Sequence, residues 1–192
     1  MTRPIRVLSN ILLTLVLMGC CSVITDPNPP VARQEIKVGP KAHALIQRFE
    51  GFSSVAYPDM ITGGAPWAYG YGFTTRADGS PVQPGDMISK KEANTRLVKE
   101  AQKYCGQALK RVPKKYATQN RIDAAASLCW NIGVPNLQRS VFFKKWIAGD
   151  INGAAKAMYS WVCSGTPAEK VLRARRRIES ALFQGETPHF DG

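Results

Sequence analysis

The sequence is poor in the residues that metal centres and nucleic-acid readers need. It has two histidines and five cysteines, with no CxxC pair, so neither a zinc site nor any other metal is expected. Neither a zinc-finger spacing nor an aromatic RNA-binding signature is present, which leaves no recognised module for reading nucleic acid. Gly 16 and Pro 13 fall short of a low-complexity chain, and there are no internal repeats. Acidic residues are scarce as well: 14 Asp and Glu stand against 26 Lys and Arg, a formal net charge of +12. Such a charge draws polyanions, whether nucleic acid, an anionic membrane or a carboxylate-rich bacterial envelope, and does not choose among them. Hydrophobic residues at 44% and charged residues at 21% are the balance of a folded domain. The 192 residues suffice for one such domain with an appendage.

The appendage is N-terminal. Arg3 and Arg6 precede an apolar run, Val7 to Ile24, interrupted by Ser9, Asn10, Thr14, Gly19 and Ser22. Its length is at the lower edge of what spans a bilayer, and its cationic start predicts export of everything that follows. Three readings compete. A cleaved signal peptide finds only a poor site at Met18-Gly19-Cys20-Cys21-Ser22. A lipoprotein signal would lipidate Cys20, with bulky Met18 a poor fit. A retained, weakly hydrophobic anchor able to leave the membrane suits the polar interruptions best and is preferred. The expected layout is an anchor over residues 1–25, a stiff Pro-rich linker over 26–38, a catalytic domain over 39–186 and a tail over 187–192.

Within the domain the punctuation is mostly helical. Pro40 suits a first helical position, and Ala42, Leu45, Ile46 and Phe49 recur with helical spacing until Gly51. Trp67-Ala68-Tyr69-Gly70-Tyr71-Gly72-Phe73 alternates large and small residues and predicts a strand. A capping box at Ser89–Glu92 opens a helix that Val112-Pro113 closes. A second helix carries Ile122, Ala125, Ala126 and Cys129 to Gly133, and a third spans about Ser140 to Gly149. Asp150 caps a fourth, expected to reach Gly165, and Thr166-Pro167-Ala168-Glu169 is expected to cap a fifth. The fold class is α+β and predominantly helical: a helix, a small sheet, then a bundle.

Glycoside hydrolysis needs a carboxyl group held protonated and either a second carboxylate or a positioned water. Glu50 ends the first helix beside Phe49 at the junction with the sheet, where partial desolvation would raise its pKa. Asp59 follows on the loop that leads to the aromatic strand. Trp67, Tyr69 and Tyr71 offer faces for sugar packing, and Gly70 and Gly72 would admit a sugar close to the backbone. On residues alone, a helix-terminal Glu is more often a solvated cap, and strand aromatics are more often core.

The ordered series changes those odds. Phe49-Glu50-Gly51, Tyr57-x-Asp59 and Trp67-Ala68-Tyr69-Gly70-Tyr71-Gly72 resemble the signature of phage-type lysozymes, glycoside hydrolase family 24. So do Asn131-Ile132-Gly133, Ser140, Ala148-Gly149-Asp150 with Ala154-Ala155, Trp161, and Arg175-Arg176-x-x-Glu179, over about residues 39 to 185. The resemblance implies a lysozyme-like fold with a sheet lobe and a helical lobe, acting without a cofactor. Its substrate would be peptidoglycan, cut at the β-1,4 bond from N-acetylmuramic acid to N-acetylglucosamine. It further implies Glu50 as general acid, Asp59 as partner of the attacking water, and Arg175 or Arg176 paired with a carboxylate near the cleft. Without that pairing, Arg173, Arg175, Arg176 and Arg177 read as a solvated basic face.

The anchor resembles the signal-anchor-release segment of one endolysin group. A monomer is therefore expected at the host inner membrane, facing the periplasm and later released into it, with glycan strands rather than nucleic acid as partner. The alternative location is a lipoprotein attached at Cys20. Two departures stand out: the family's Thr after the strand Trp is Ala68, and its His at the motif's end is Phe73. Thr62, in a longer Asp59–Trp67 loop, is the candidate to supply the missing hydroxyl. Loss of activity through Ala68, leaving a wall-binding lipoprotein, is the competing function; a cationic membrane-perturbing protein is the third. Export would place Cys105, Cys129 and Cys163 in an oxidising compartment. The sequence leaves the disulfide connectivity open, a Cys105–Cys163 bridge being one pairing it allows; Cys129 reads most simply as a buried small hydrophobe, and Cys20 and Cys21 as shielded in the anchor until release.

Overall fold

The structure, a computed structural model, describes residues 35–59 and 62–187. The anchor, Cys20 and Cys21, the proline-rich stretch 26–30, Met60-Ile61 and the end of the tail lie outside the described residues. Among the described residues no helix is long and apolar enough to cross a membrane.

Helix α1 (Pro40–Glu50) starts on its proline and buries Ala42, Leu45 and Ile46 on one face, the face the apolar spacing marks out. It stops at Gly51, whose φ of 69° is one that side chains resist. Strands β1 (Ser53–Pro58) and β2 (Trp67–Gly70) then pair antiparallel, with Tyr57 opposite Ala68 and Pro58 opposite Trp67. A bulge in β1 lies between Ser53 and Tyr57. The aromatic segment is shorter as a strand than its alternation suggests. Gly70 and Gly72, with φ of 61° and 86°, fold the chain back, so that Tyr69 and Phe73 exchange backbone hydrogen bonds of 3.1 and 2.9 Å. A β-carbon on Gly70 would stand 2.8 Å from the Phe73 ring. This glycine therefore serves the turn and its packing against Phe73.

Helix α2 (Lys90–Ala101) opens on the expected capping box, with Ser89 and Glu92 bonding each other's backbone N–H. It continues through a π turn over Gln102–Gly106 into α3 (Gln107–Leu109), a widening that sequence periodicity does not reveal. The Gln102 amide reaches back to the incoming chain: its oxygen accepts from Val38 N at 2.8 Å and its nitrogen donates to Ile36 O at 2.7 Å. Ile36 and Val38 are buried, so the folded unit includes residues that the linker was expected to hold. Gly106 makes room for this clamp, since a β-carbon there would lie 2.6 Å from Gln102 Nε2. Gly106→Ala is expected to push the amide away and break both bonds. The cost is about 1–3 kcal/mol, read as a lower thermal midpoint.

Helix α4 (Gln119–Ile132) is capped by Thr118 and ended by Gly133. The short α5 (Val134–Arg139), opened by a proline in its first turn, was not anticipated. Helix α6 (Val141–Ala148) has Ser140 as its cap and Gly149 in the left-handed region at its end. Asp150 caps α7 (Ile151–Ala157), which closes through a 3-10 turn at Met158–Ser160, short of Gly165. The last helix, α8 (Glu169–Gln184), starts without the expected capping box. The Thr166 hydroxyl instead donates to Cys163 O at 2.7 Å, and the Glu169 carboxylate accepts from Gly165 N at 2.7 Å. Phe142 and Trp146 of α6 meet Phe183 of α8 with ring centroids 5.3 and 5.2 Å apart, an edge-on cluster at the centre of the helical core.

The described cysteines are free. Cys105 and Cys129 are both buried, and their thiols interact. Cys163 is exposed at a turn, so the Cys105–Cys163 pairing that the sequence left open is not made. The hydrogen bond to Cys129, with burial, pushes the Cys105 thiol up, which leaves it inert as a nucleophile.

Candidate active site

Glu50 sits where α1 hands over to the sheet, its side chain 25% exposed. Its Oε1 accepts from Arg175 Nη1 at 2.7 Å, across 125 positions of sequence. Arg175, 2% exposed, is held on the rest of its guanidinium. Its Nε donates to Glu179 Oε1 at 3.0 Å and its Nη2 to the Ser127 carbonyl at 3.0 Å. The Ser127 hydroxyl donates to the same Glu179 oxygen at 2.6 Å. Arg176 adds an ion pair, Nε to Glu179 Oε2 at 3.2 Å, and donates to Asn131 at 2.7 Å. Burial presses the Arg176 pKa down, and the charge of Glu179 opposes that. The Phe49 ring lies 5.4 Å from the Arg175 guanidinium, within cation–π range.

Charges buried this deeply persist only when paired. Glu179, on the same α8 turns as both arginines, is the carboxylate they share. The structure thus brings Glu50 and Arg175 together and makes these two arginines interior rather than part of a solvated face. Glu179, Ser127 and Asn131 were not assigned by the sequence reading. The spacing Arg175-Arg176-x-x-Glu179 places Glu179 one helix turn from both arginines, which is the signal for that residue; Ser127 and Asn131 lie on α4 and carry no such signal.

Asp59 opens a tight turn. Its Oδ1 accepts from Thr62 N at 2.9 Å, and its backbone exchanges bonds of 3.0 and 2.8 Å with Gly64 and Gly63. The Thr62 hydroxyl is engaged in that turn: it donates to Ala65 O at 3.1 Å and accepts from Gly64 N at 3.3 Å. Tyr69 and Tyr71 are buried. The Tyr71 hydroxyl donates to Asn94 at 2.7 Å, so these two rings belong to the packing, while Trp67 is half-buried. Phe73, at the end of the aromatic motif, lies beneath Arg96 at 4.3 Å and edge-on to Trp130.

The register adds Tyr57. Cross-strand partners share a sheet face, so Tyr57 and Ala68 lie together and Trp67 with Pro58 on the other side. Burial holds the Tyr57 phenol above the ordinary tyrosine value, and the negative charge of Glu50 raises it further. The phenol therefore lies within electrostatic reach of Glu50. Glu50→Gln is expected to lower the Tyr57 pKa part of the way, the burial effect remaining. Ultraviolet titration of tyrosinate, with Tyr57→Phe to assign the transition, reads this; an unmoved transition would place Tyr57 outside the field of Glu50.

Residues 47–179 match the phage lysozyme family. The endolysin of Acyrthosiphon pisum secondary endosymbiont phage 1 is 30% identical over 151 residues, covering 77% of this chain and 97% of the relative. The SAR-endolysin of Escherichia phage 933W is 32% identical over 135 residues, covering 68% and 73%. Among solved structures, the endolysin from Escherichia coli O157:H7 phage FAHEc1 superposes with a TM-score of 0.68 at 31% identity, covering 79% of this chain and 95% of that one. The sheet lobe, the helical lobe and the ordered motifs agree with these matches, and the chain belongs to the phage lysozyme family.

Proposed function

We propose that the chain is a muramidase endolysin that hydrolyses the β-1,4 bond between N-acetylmuramic acid and N-acetylglucosamine, with Glu50 as general acid. The observation that carries the reading is the hold on Glu50. Arg175 takes Oε1, and Glu179 and Ser127 immobilise Arg175, so Oε2 is the oxygen left to present a proton to the leaving group. A fixed donor of this kind is worth about 10²–10⁴ in rate. Asp59, at the turn after β1, orients or activates the water that attacks the opposite face of the sugar. Trp67 and the chain around Gly72 are offered to the flanking sugars.

The hydroxyl missing at Ala68 has two candidate replacements. Thr62 is committed to its own turn, whereas Tyr57 stands beside Ala68 across the sheet and shares the electrostatic field of Glu50. Tyr57 is the better candidate. Tyr57→Phe should lower kcat about tenfold with little change in KM, and Ala68→Thr in that background should restore part of the loss. Loss on Thr62→Val with none on Tyr57→Phe would return the role to the loop.

The similarity to SAR-endolysins supports the remaining assignment: a retained anchor at the host inner membrane, then release of the intact chain to the periplasm to bring about lysis. Turbidity loss of outer-membrane-permeabilised Gram-negative cells, with wild type against Glu50→Gln, tests the function. Equal lysis by both proteins, or by neither, would contradict it. Fractionation before and after an uncoupler tests the release: one full-length species should move from membrane to soluble fraction. A shortened, lipid-modified form beginning at Cys20 would overturn it.

A further inference from the structure

A groove of about 1080 Å³ runs along α2 between that helix and the end of the sheet lobe. Glu50, Tyr57, Asp59 and Trp67 do not line it. Its wall carries Lys91, Lys99 and Lys103, all exposed. Residues spaced by four share one side of a helix, and the π turn that begins at Gln102 keeps Lys103 in the row by offsetting the drift of a four-residue step. The carboxylates of the groove are already engaged. Glu92 closes the capping box with Ser89, Glu100 pairs with Arg96 at 2.6 Å, and Asp86, just behind the wall, pairs with Arg76 at 2.6 Å. The lysines therefore leave an excess of positive charge. Beside them stand two exposed apolar side chains, Met87 at 72% and Tyr104 at 50% of full exposure.

We propose that this face of α2 docks on the anionic headgroups of a phospholipid bilayer. A cationic row flanked by an exposed aromatic and an exposed apolar side chain is the composition that binds a membrane interface. The chain that enters the domain also reaches it on this helix, because Gln102 clamps residues 36 and 38 within the span of the lysine row. The inference rests on the anchor reading. Ten residues, 25–34, separate the apolar run from Glu35, a reach of at most about 35 Å, which keeps the domain at the membrane surface while the anchor is inserted. Docking would add a salt-sensitive hold to the tether without covering the residues assigned to catalysis.

The test uses the full chain with Leu13→Glu and Leu15→Glu, so that the apolar run no longer inserts. Flotation is measured with vesicles of phosphatidylglycerol mixed with phosphatidylcholine, and with phosphatidylcholine alone. The expected result is binding to the anionic vesicles only, reversed by about 0.5 M salt. Adding K91E/K99E/K103E should weaken it about a hundredfold, and the neutral K91Q/K99Q/K103Q should weaken it in the same direction. Reversing three exposed lysines elsewhere, K144E/K156E/K170E, should change it much less. Circular dichroism confirms that each variant folds.

Equal loss in both charge-reversed sets would overturn the proposal in favour of diffuse attraction by net charge. Loss of binding to isolated sacculi with vesicle binding intact would overturn it in favour of wall carboxylates. Turnover of soluble wall fragments should be unchanged by the α2 substitutions. Its absence from every protein, with the vesicle result intact, would count against the muramidase reading alone.

Discussion

Glu50→Gln should lower the rate of wall hydrolysis about 10³-fold or more while leaving the fold in place. Glutamine can accept the Arg175 hydrogen bond that Oε1 now accepts but cannot deliver a proton to a leaving alkoxide. Arg175 keeps Glu179 and Ser127 as partners, so the lost ion pair, a quarter exposed at Glu50, should shift stability by no more than about 1 kcal/mol. The loss should appear in kcat with KM nearly unchanged, because the carboxyl group acts in the transition state. Turbidity kinetics and a thermal melt on the same preparation separate this from misfolding. A variant with near-wild-type turnover would remove Glu50 from the chemistry.

Glu179→Ala should have the largest effect on stability. Glu179 is fully buried, as are Arg175 and Arg176 to within 2%, and it is the carboxylate that both guanidiniums face. Its removal leaves two buried cations with one partly exposed carboxylate between them. Breaking a buried pair in this way costs about 3–5 kcal/mol, a large part of the stability of a domain this size. Activity should fall as well, since Arg175 would be free to turn toward Asn131 and release Oε1. Chemical denaturation reads the first effect. Arg176→Met in the Glu179→Ala background should recover part of the stability, because one of the two uncompensated charges is then gone.

These two residues show how far the sequence could be read. Helix α1, the Ser89–Glu92 capping box, the Gly133 and Gly149 stops and the Asp150 cap were legible because each is a local rule, settled within one or two turns. The aromatic strand was read too long because alternation reports which residues are large, not where two glycines reverse the chain. At Thr166, Glu169 had a nearer backbone donor in Gly165, and the capping signature lost to it. Candidate site residues can be named from the sequence, but the way the fold joins them cannot. The Glu50–Arg175 pair, the clamp of Gln102 on residues 36 and 38, and the Cys105–Cys129 contact join distant segments, and no periodicity encodes such pairings. The clearest case is Tyr57. It stands in a quoted motif, yet its place opposite Ala68 follows only from a bulged register that shifts β1 against β2.

Inverting hydrolysis of the muramic acid bond is tested directly by proton NMR of the newly formed reducing end. Water delivered by Asp59 to the face opposite Glu50 should release N-acetylmuramic acid ends as the α-anomer first, with β appearing only through mutarotation. An initial β-anomer, or a reducing end on N-acetylglucosamine, would contradict it.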